Sequence, residues 1–107
     1  MGVLALKEQI ILSALWMLGG SSIGPLIREK VIELSGKEIV YGTLYNFMEH
    51  LGRKGYVTTH KAAPTHEQGG KSKTVYTISK EGILALEETK KLHENIWKEL
   101  PELRTGI

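Results

Sequence analysis

The sequence predicts a mainly helical α+β fold with one small β-hairpin. Four segments have apolar side chains at the spacing of amphipathic helices, and two runs rich in β-branched and aromatic residues lie between the third and the fourth. A chain of 107 residues is long enough for one domain with an appended helix. We therefore expect one domain over residues 1–78 and a C-terminal helix within residues 79–107.

The first helix is predicted over residues 4–18, and its second half is apolar on almost every side. Leu4, Ile11 and Leu15 follow helical spacing, and further apolar residues around Trp16 occupy the other faces. Such a helix needs two apolar partners. One is its own domain, and the other is either a second copy of the chain or the C-terminal helix.

The second and third helices have recognisable start and stop signals. Ser22 is predicted to cap the second helix, which has Pro25 in its first turn and ends at Gly36. The third helix begins near Tyr41 and ends at Gly55. Its core-facing residues follow the spacing i, i+3, i+4, i+7 and are Leu44, Phe47, Met48 and Leu51.

The hairpin is predicted from the β-rich runs Tyr56 to Lys61 and Thr74 to Ile78. The segment between them contains Pro64 and the pair Gly69-Gly70, which is typical of a hairpin with a long tip. A tip of this length packs little against the rest of a domain. Its two interpretations are a binding element and a passive loop.

The last helix is predicted from Ser79 to about Leu100, before Pro101. Its apolar stripe steps by three and four residues, as in the seam of a coiled coil. We expect a homodimer interface formed by the first and last helices through Leu4, Ile11, Leu15, Leu86, His93, Ile96 and Leu100. The alternative is that both helices pack only within one monomer.

Positive charge is concentrated in the middle third of the chain. Residues 41–80 contain six bases and two acids, a net charge of +4, whereas residues 1–40 are neutral and residues 81–107 have a net charge of −2. A basic region of this kind is expected where a polyanion binds. The alternative is a solvated basic surface without a partner.

Several classes of function have little support in the sequence. The chain has no cysteine, and its four histidines lack the spacing of metal ligands. No nucleophile or phosphate-loop motif is present, so we expect neither an enzyme nor a cofactor. The apolar run Ile10 to Leu18 is about half as long as a membrane span. We expect no membrane partner and a cytoplasmic location.

Three helices followed by a hairpin with a basic tip is the element order of a winged helix-turn-helix domain, here with an additional C-terminal dimerisation helix. The segments GTLYNFMEHLGRKGYV and GGKSKTVYTISKEG resemble the recognition helix and wing of PadR-like transcriptional regulators. The resemblance covers about residues 4–100 and implies a homodimeric, repressor-like DNA-binding protein. The sequence departs from the family pattern at Val40, where a serine cap is usual, and at Thr74-Val75, where the wing usually has lysine and tyrosine.

The candidate DNA contacts lie on the third helix and the wing. On a helical wheel, four residues point directly away from the core face, namely Gly42, Asn46, Glu49 and Arg53. Amide and arginine side chains can read base edges, whereas hydroxyl groups and lysines contact phosphates. The predicted DNA-binding residues are Tyr41, Gly42, Thr43, Tyr45, Asn46, His50, Arg53, Lys54, Lys71, Lys73 and Tyr76.

Some of these assignments have purely structural alternatives. The family resemblance implies a phosphate contact for Tyr45, but packing against the second helix would also explain a tyrosine there. Gly42 either lets the helix approach phosphates or is only a turn residue. Lys71 and Lys73 either bind DNA or are ordinary solvated lysines.

Trp16 and Trp97 lie one on each helix assigned to the dimer interface. Some PadR-like proteins bind aromatic ligands between such helices, so the resemblance implies a small aromatic effector site there; the alternative is an interface core. Together with this resemblance, the sequence thus predicts a sequence-specific, double-stranded DNA-binding transcriptional regulator, and the resemblance implies that it is a homodimeric repressor, here of an inverted-repeat operator. The alternative is a winged-helix protein-interaction module without DNA binding.

Overall fold

The computed structural model describes residues 4–62 and 73–106, which form four helices and a three-stranded antiparallel sheet. In chain order the elements are α1 (Leu6–Met17), β1 (Ser21–Ile23), α2 (Gly24–Ser35), α3 (Tyr41–Arg53), β2 (Val57–Lys61), β3 (Thr74–Ile78) and α4 (Lys80–Glu99). This arrangement is a winged helix-turn-helix fold followed by an additional helix. It confirms the predicted α+β class.

The sheet contains one strand that the sequence analysis missed. β3 lies in the centre, with β2 on one side and β1 on the other. β1 pairs with β3 from Ser21 opposite Thr77 to Ile23 opposite Val75. Ser22, which was predicted to cap α2, therefore lies inside a strand. The residue before α2 is Ile23, whose side chain makes no capping hydrogen bond.

The core is centred on α1, which packs against α2, α4 and β3. Its largest fully buried side chains come from the first three helices and are Ile11, Leu12, Leu15, Ile27, Leu44, Met48 and Leu51. The predicted inner face of α3 is confirmed, with Phe47 partly buried at its edge. The helix α3 is therefore fixed to the core along one side only.

Three residues assigned to the dimer interface lie in this core instead of on a free surface. Leu4, Ile11 and Leu15 are each 4% exposed or less within the single chain. They are buried because α1 lies between α2 and α4, so its own chain supplies the apolar partners that these side chains need. The exposed apolar residues of α1 are Leu6, Trp16 and Met17.

The two halves of α4 differ in their packing. Ser79 caps the helix, since its hydroxyl accepts the Gly82 amide at 3.1 Å, and Gly82 lies directly against the backbone carbonyl of Tyr56. Ala85 and Thr89 are buried as well, whereas every residue from 90 to 100 is exposed.

Over the described residues, no helix combines the length and apolar character needed to cross a bilayer.

Candidate nucleic-acid interface

Arg28 of α2 supports the start of α3, which has no side-chain cap because Val40 occupies the N-cap position. The Nε atom of Arg28 donates to the Ile39 carbonyl at 2.6 Å, and a terminal nitrogen donates to Glu38 at 3.0 Å. The guanidinium group also lies 4.8 Å from the ring centre of Tyr41. These contacts fix the turn before α3, but Arg28 only donates, so the first amides of α3 still lack the acceptor that a capping side chain would supply.

The solvent-facing side of α3 has the residues expected from the helical wheel. Thr43 is half-buried, and the other predicted residues are exposed, namely Tyr41, Gly42, Tyr45, Asn46, His50 and Arg53. Within the described part of the chain, the Asn46 amide has no hydrogen-bond partner. It therefore keeps all its donors and acceptors for a ligand.

Glu49 and Arg53 form an ion pair one turn apart on this face, with Oε1 and Nη1 2.6 Å apart. Both side chains are more than 60% exposed, so the pair contributes little to stability. Glu49 thus orients the Arg53 guanidinium without burying it. Arg53 can exchange this partner for a base edge or a phosphate at small cost.

Tyr45 both packs on α2 and stays accessible. Its ring lies over Gly24, where an added Cβ would sit 2.7 Å from the Tyr45 hydroxyl oxygen. The residue is nevertheless 40% exposed and stacks on Tyr41 at 5.8 Å between ring centres. Gly24 leaves room for the ring, and Tyr45 also lines a groove beside it.

This groove lies between the start of α2, α3 and the base of the wing and has a volume of about 590 Å³. Its lining includes Tyr45, Lys73, Thr74 and Tyr76. Burial raises the pKa of Tyr76 above its ordinary value of 10.0, and the nearby Tyr45 adds to this effect. The Tyr76 hydroxyl therefore stays protonated at neutral pH and can donate to an anionic oxygen.

The base of the wing is described, but its tip is not. Lys73 is exposed at the start of the returning strand, and the Lys61 ammonium group donates to the Thr74 hydroxyl at 2.9 Å. Lys71, which was predicted to contact DNA, lies outside the described residues. Lys73 and Tyr76 therefore represent the predicted wing contacts in the structure.

Lys54 is directed toward α1, a contact that the sequence analysis did not anticipate. Its Nζ atom donates to Oε2 of Glu8 at 2.7 Å, and Nε2 of His50 lies 3.8 Å from the same oxygen. Burial acts to raise the pKa of Glu8, but the Lys54 and Ala5 hydrogen bonds and the charges of Lys54 and His50 outweigh it, so this pKa lies below its ordinary value. In the sequence, this contact was indicated only by Glu8 itself, the one acidic residue of the largely apolar helix α1.

The two predicted effector residues line one groove between α1 and α4, with a volume of about 640 Å³. Trp16 is 53% and Trp97 is 62% exposed. Leu86 and His93, which were assigned to the dimer interface, line the same groove, and His93 Nε2 lies 2.7 Å from the Gln9 amide oxygen. The structure thus brings the tryptophans and part of the predicted interface together.

Comparisons with known proteins agree with this architecture. The model of the family described as "Transcriptional regulator PadR-like family" matches residues 11–88. A PadR-like transcriptional regulator from Bacillus cereus superimposes with a TM-score of 0.69 at 17% identity, covering 87% of this chain and 88% of that one. A winged-helix DNA-binding protein from STIV gives a TM-score of 0.65 at 20% identity, covering 94% and 98%.

A third similar structure is an organohalide-sensing transcriptional regulator in its 2,4-dichlorophenol-bound form. It gives a TM-score of 0.68 at 16% identity and covers 90% of this chain, which spans 50% of that longer protein. No curated protein sequence matches the chain significantly. At these identities the structural neighbours establish the fold, whereas the family model covers more than half of the sequence.

Proposed function

Because this chain belongs to the PadR-like family of transcriptional regulators, we propose that it is a homodimeric repressor that binds an inverted-repeat operator in double-stranded DNA. In this proposal the protein acts in the cytoplasm. The observation that supports it most is the exposed polar face of α3, where Asn46 and Arg53 can reach base edges. A helix fixed to its domain along one side is suited to enter the major groove.

The phosphate contacts of this proposal come from the residues around α3. Tyr45, Tyr76 and Lys73 line one groove beside the start of α2, and their hydroxyl and ammonium groups are donors for phosphate oxygens. The amides at the start of α2 have no side-chain cap, and a helix N-terminus attracts anions. These groups together would hold the backbone beside the major groove that α3 enters.

The exposed half of α4 supports the proposed dimer. Four apolar side chains in this half are about 40% exposed or more, namely Leu92, Ile96, Trp97 and Leu100. A second copy of this helix would bury the row at a two-fold interface. The two α3 helices must then lie about 34 Å apart to enter successive major grooves. Sedimentation showing a stable monomer at micromolar concentration would contradict this part of the proposal.

The groove between α1 and α4 supports a small aromatic effector as the inducer. Trp16 and Trp97 offer exposed ring faces there, and an aromatic ligand would stack on them. The dichlorophenol-bound regulator shows that a related fold accommodates a chlorinated phenol. Quenching of tryptophan fluorescence by phenols, absent in a Trp97→Ala variant, would test this site.

A gel-shift titration tests DNA binding directly. The probes are the DNA upstream of the protein's own gene and a random sequence of equal length, both at fixed salt. We expect binding to the upstream DNA at least about 1,000-fold tighter than to the random DNA. Equal, weak affinity for both would favour the alternative of a winged-helix protein-interaction module.

A further inference from the structure

Glu8 is a buried acid within the apolar helix α1, with only 3% of its surface exposed. Its Oε1 atom accepts the Ala5 amide at 2.9 Å, and its Oε2 atom accepts the Lys54 ammonium group at 2.7 Å. The His50 ring nitrogen lies 3.8 Å from Oε2. Burying a carboxylate is costly unless its partners are held in place. The acid therefore constrains the side chains that approach it.

Both residues that approach Glu8 from elsewhere in the sequence belong to the end of α3. Lys54 is the C-cap of this helix, and His50 lies one turn before it. The contact between Glu8 and Lys54 joins residues 46 positions apart. It is thus a tertiary link, unlike the exposed pair of Glu49 and Arg53 within α3. Arg28 fixes the start of α3, and Glu8 fixes its end.

We propose that Glu8 is a positioning residue of the DNA-binding surface, which holds the C-terminal end of α3 against α1 through Lys54. The proposal rests on the proposed function. It also assigns Lys54 a different role from a phosphate contact. The Lys54 ammonium group is already hydrogen-bonded to the buried acid, so leaving it for a phosphate would expose Glu8 to the cost of an unpaired buried charge.

Salt dependence separates the two roles of Lys54. A lysine that contacts a phosphate contributes about 0.9 to the slope of log affinity against log salt, whereas a lysine that only positions a helix contributes nothing. The variants are Glu8→Gln, Lys54→Met and their combination. Glu33→Gln is the matched control, because it removes an exposed acid from its ion pair with the half-buried Lys30 on α2.

We expect Glu8→Gln and Lys54→Met each to weaken operator binding about threefold to tenfold. The double variant should be no worse than either single one, because both remove the same contact. The salt slope should stay at the wild-type value, and the ratio of operator to random-DNA affinity should fall. Glu33→Gln should bind both DNAs as the wild type does.

The opposite pattern would overturn the positioning role. If Lys54 contacts a phosphate, Lys54→Met lowers the salt slope by about 0.9 and weakens random-DNA binding equally, whereas Glu8→Gln frees the lysine and tightens binding. Far-UV circular dichroism checks that each variant is folded. If Glu8→Gln unfolds, the salt slope of Lys54→Met alone decides whether Lys54 positions the helix or contacts a phosphate. Wild-type protein that binds no DNA overturns the proposed function as well, whereas wild-type binding with unaffected variants overturns the positioning role alone.

Discussion

Gly24 at the start of α2 provides a test of whether Tyr45 contacts phosphate. A methyl group at this position would sit 2.7 Å from the Tyr45 hydroxyl oxygen and 2.8 Å from Cε1, so the ring must move away. A hydrogen bond to a charged phosphate contributes about 1.5–3 kcal/mol. We therefore expect Gly24→Ala to weaken binding to operator and random DNA alike, by at least about tenfold.

The same substitution should have little effect on stability. The backbone at Gly24 lies outside the left-handed region, and alanine at a compatible glycine site stabilises by about 0.4–1 kcal/mol. Displacing the end of one partly exposed side chain costs a similar amount. The free energy of unfolding measured in urea should therefore stay within about 1 kcal/mol of the wild-type value.

Two further variants complete this test. Gly52→Ala is the control, because its methyl group would meet only the Val57 carbonyl at an ordinary 3.8 Å. It should keep wild-type DNA affinity. Tyr45→Phe should reproduce the loss of Gly24→Ala, and the double variant should add nothing. Wild-type affinity for Gly24→Ala, measured by fluorescence anisotropy at fixed salt, would refute the role of Tyr45.

Four other outcomes are expected. In gel shifts, Asn46→Ala should weaken the free energy of operator binding by about 1–3 kcal/mol and leave binding to random DNA unchanged. Equal losses on both DNAs would mean that Asn46 only positions the helix. Lys73→Ala should weaken both and lower the salt slope by about 0.9, whereas unaltered affinity would make this part of the wing passive. Gly82→Ala should lower the free energy of unfolding in urea by about 1–3 kcal/mol, because the added methyl group would collide with the Tyr56 carbonyl oxygen. This oxygen cannot easily move away, since it accepts a hydrogen bond from the Ser79 amide at 2.9 Å. Because the pKa of Glu8 is lowered on folding, its ionised form stabilises the fold at pH values above the ordinary pKa of 4.5. The stability advantage of the wild type over Glu8→Gln, measured by thermal unfolding, should therefore vanish as the pH falls below 4.5.

Local patterns in the sequence were sufficient to predict most of the fold. The apolar spacing of α3, with Leu44 and Leu51 inward, and the β-rich run from Thr74 to Ile78 are properties of neighbouring residues, and the structure agrees with both. β1 has only three residues and exists because Ser21 pairs with Thr77 of the distant β3. No local pattern identifies such a strand, so Ser22 was assigned to a helix cap.

The difference between local patterns and tertiary contacts also explains which residues of the candidate site the sequence did not indicate. The outward face of α3 follows from helical periodicity, and Asn46 could be identified from it. Arg28 and Glu8 act on α3 across the tertiary structure, through contacts with Ile39 and Lys54. Their partners are defined by how α1, α2 and α3 pack. Nothing in the spacing of these residues along the chain indicates the pairs.

The start of α1, with the residues just before it, contacts both α3 and α4. The Leu4 amide donates to the Thr89 hydroxyl of α4 at 3.1 Å, and Gln9 contacts His93 of α4. Glu8, between them, contacts Lys54 at the end of α3. In the proposed dimer, α4 joins the two subunits, so its position on α1 sets the separation of the two α3 helices. A ligand between α1 and α4 would therefore alter operator binding by changing this separation, without touching α3 itself.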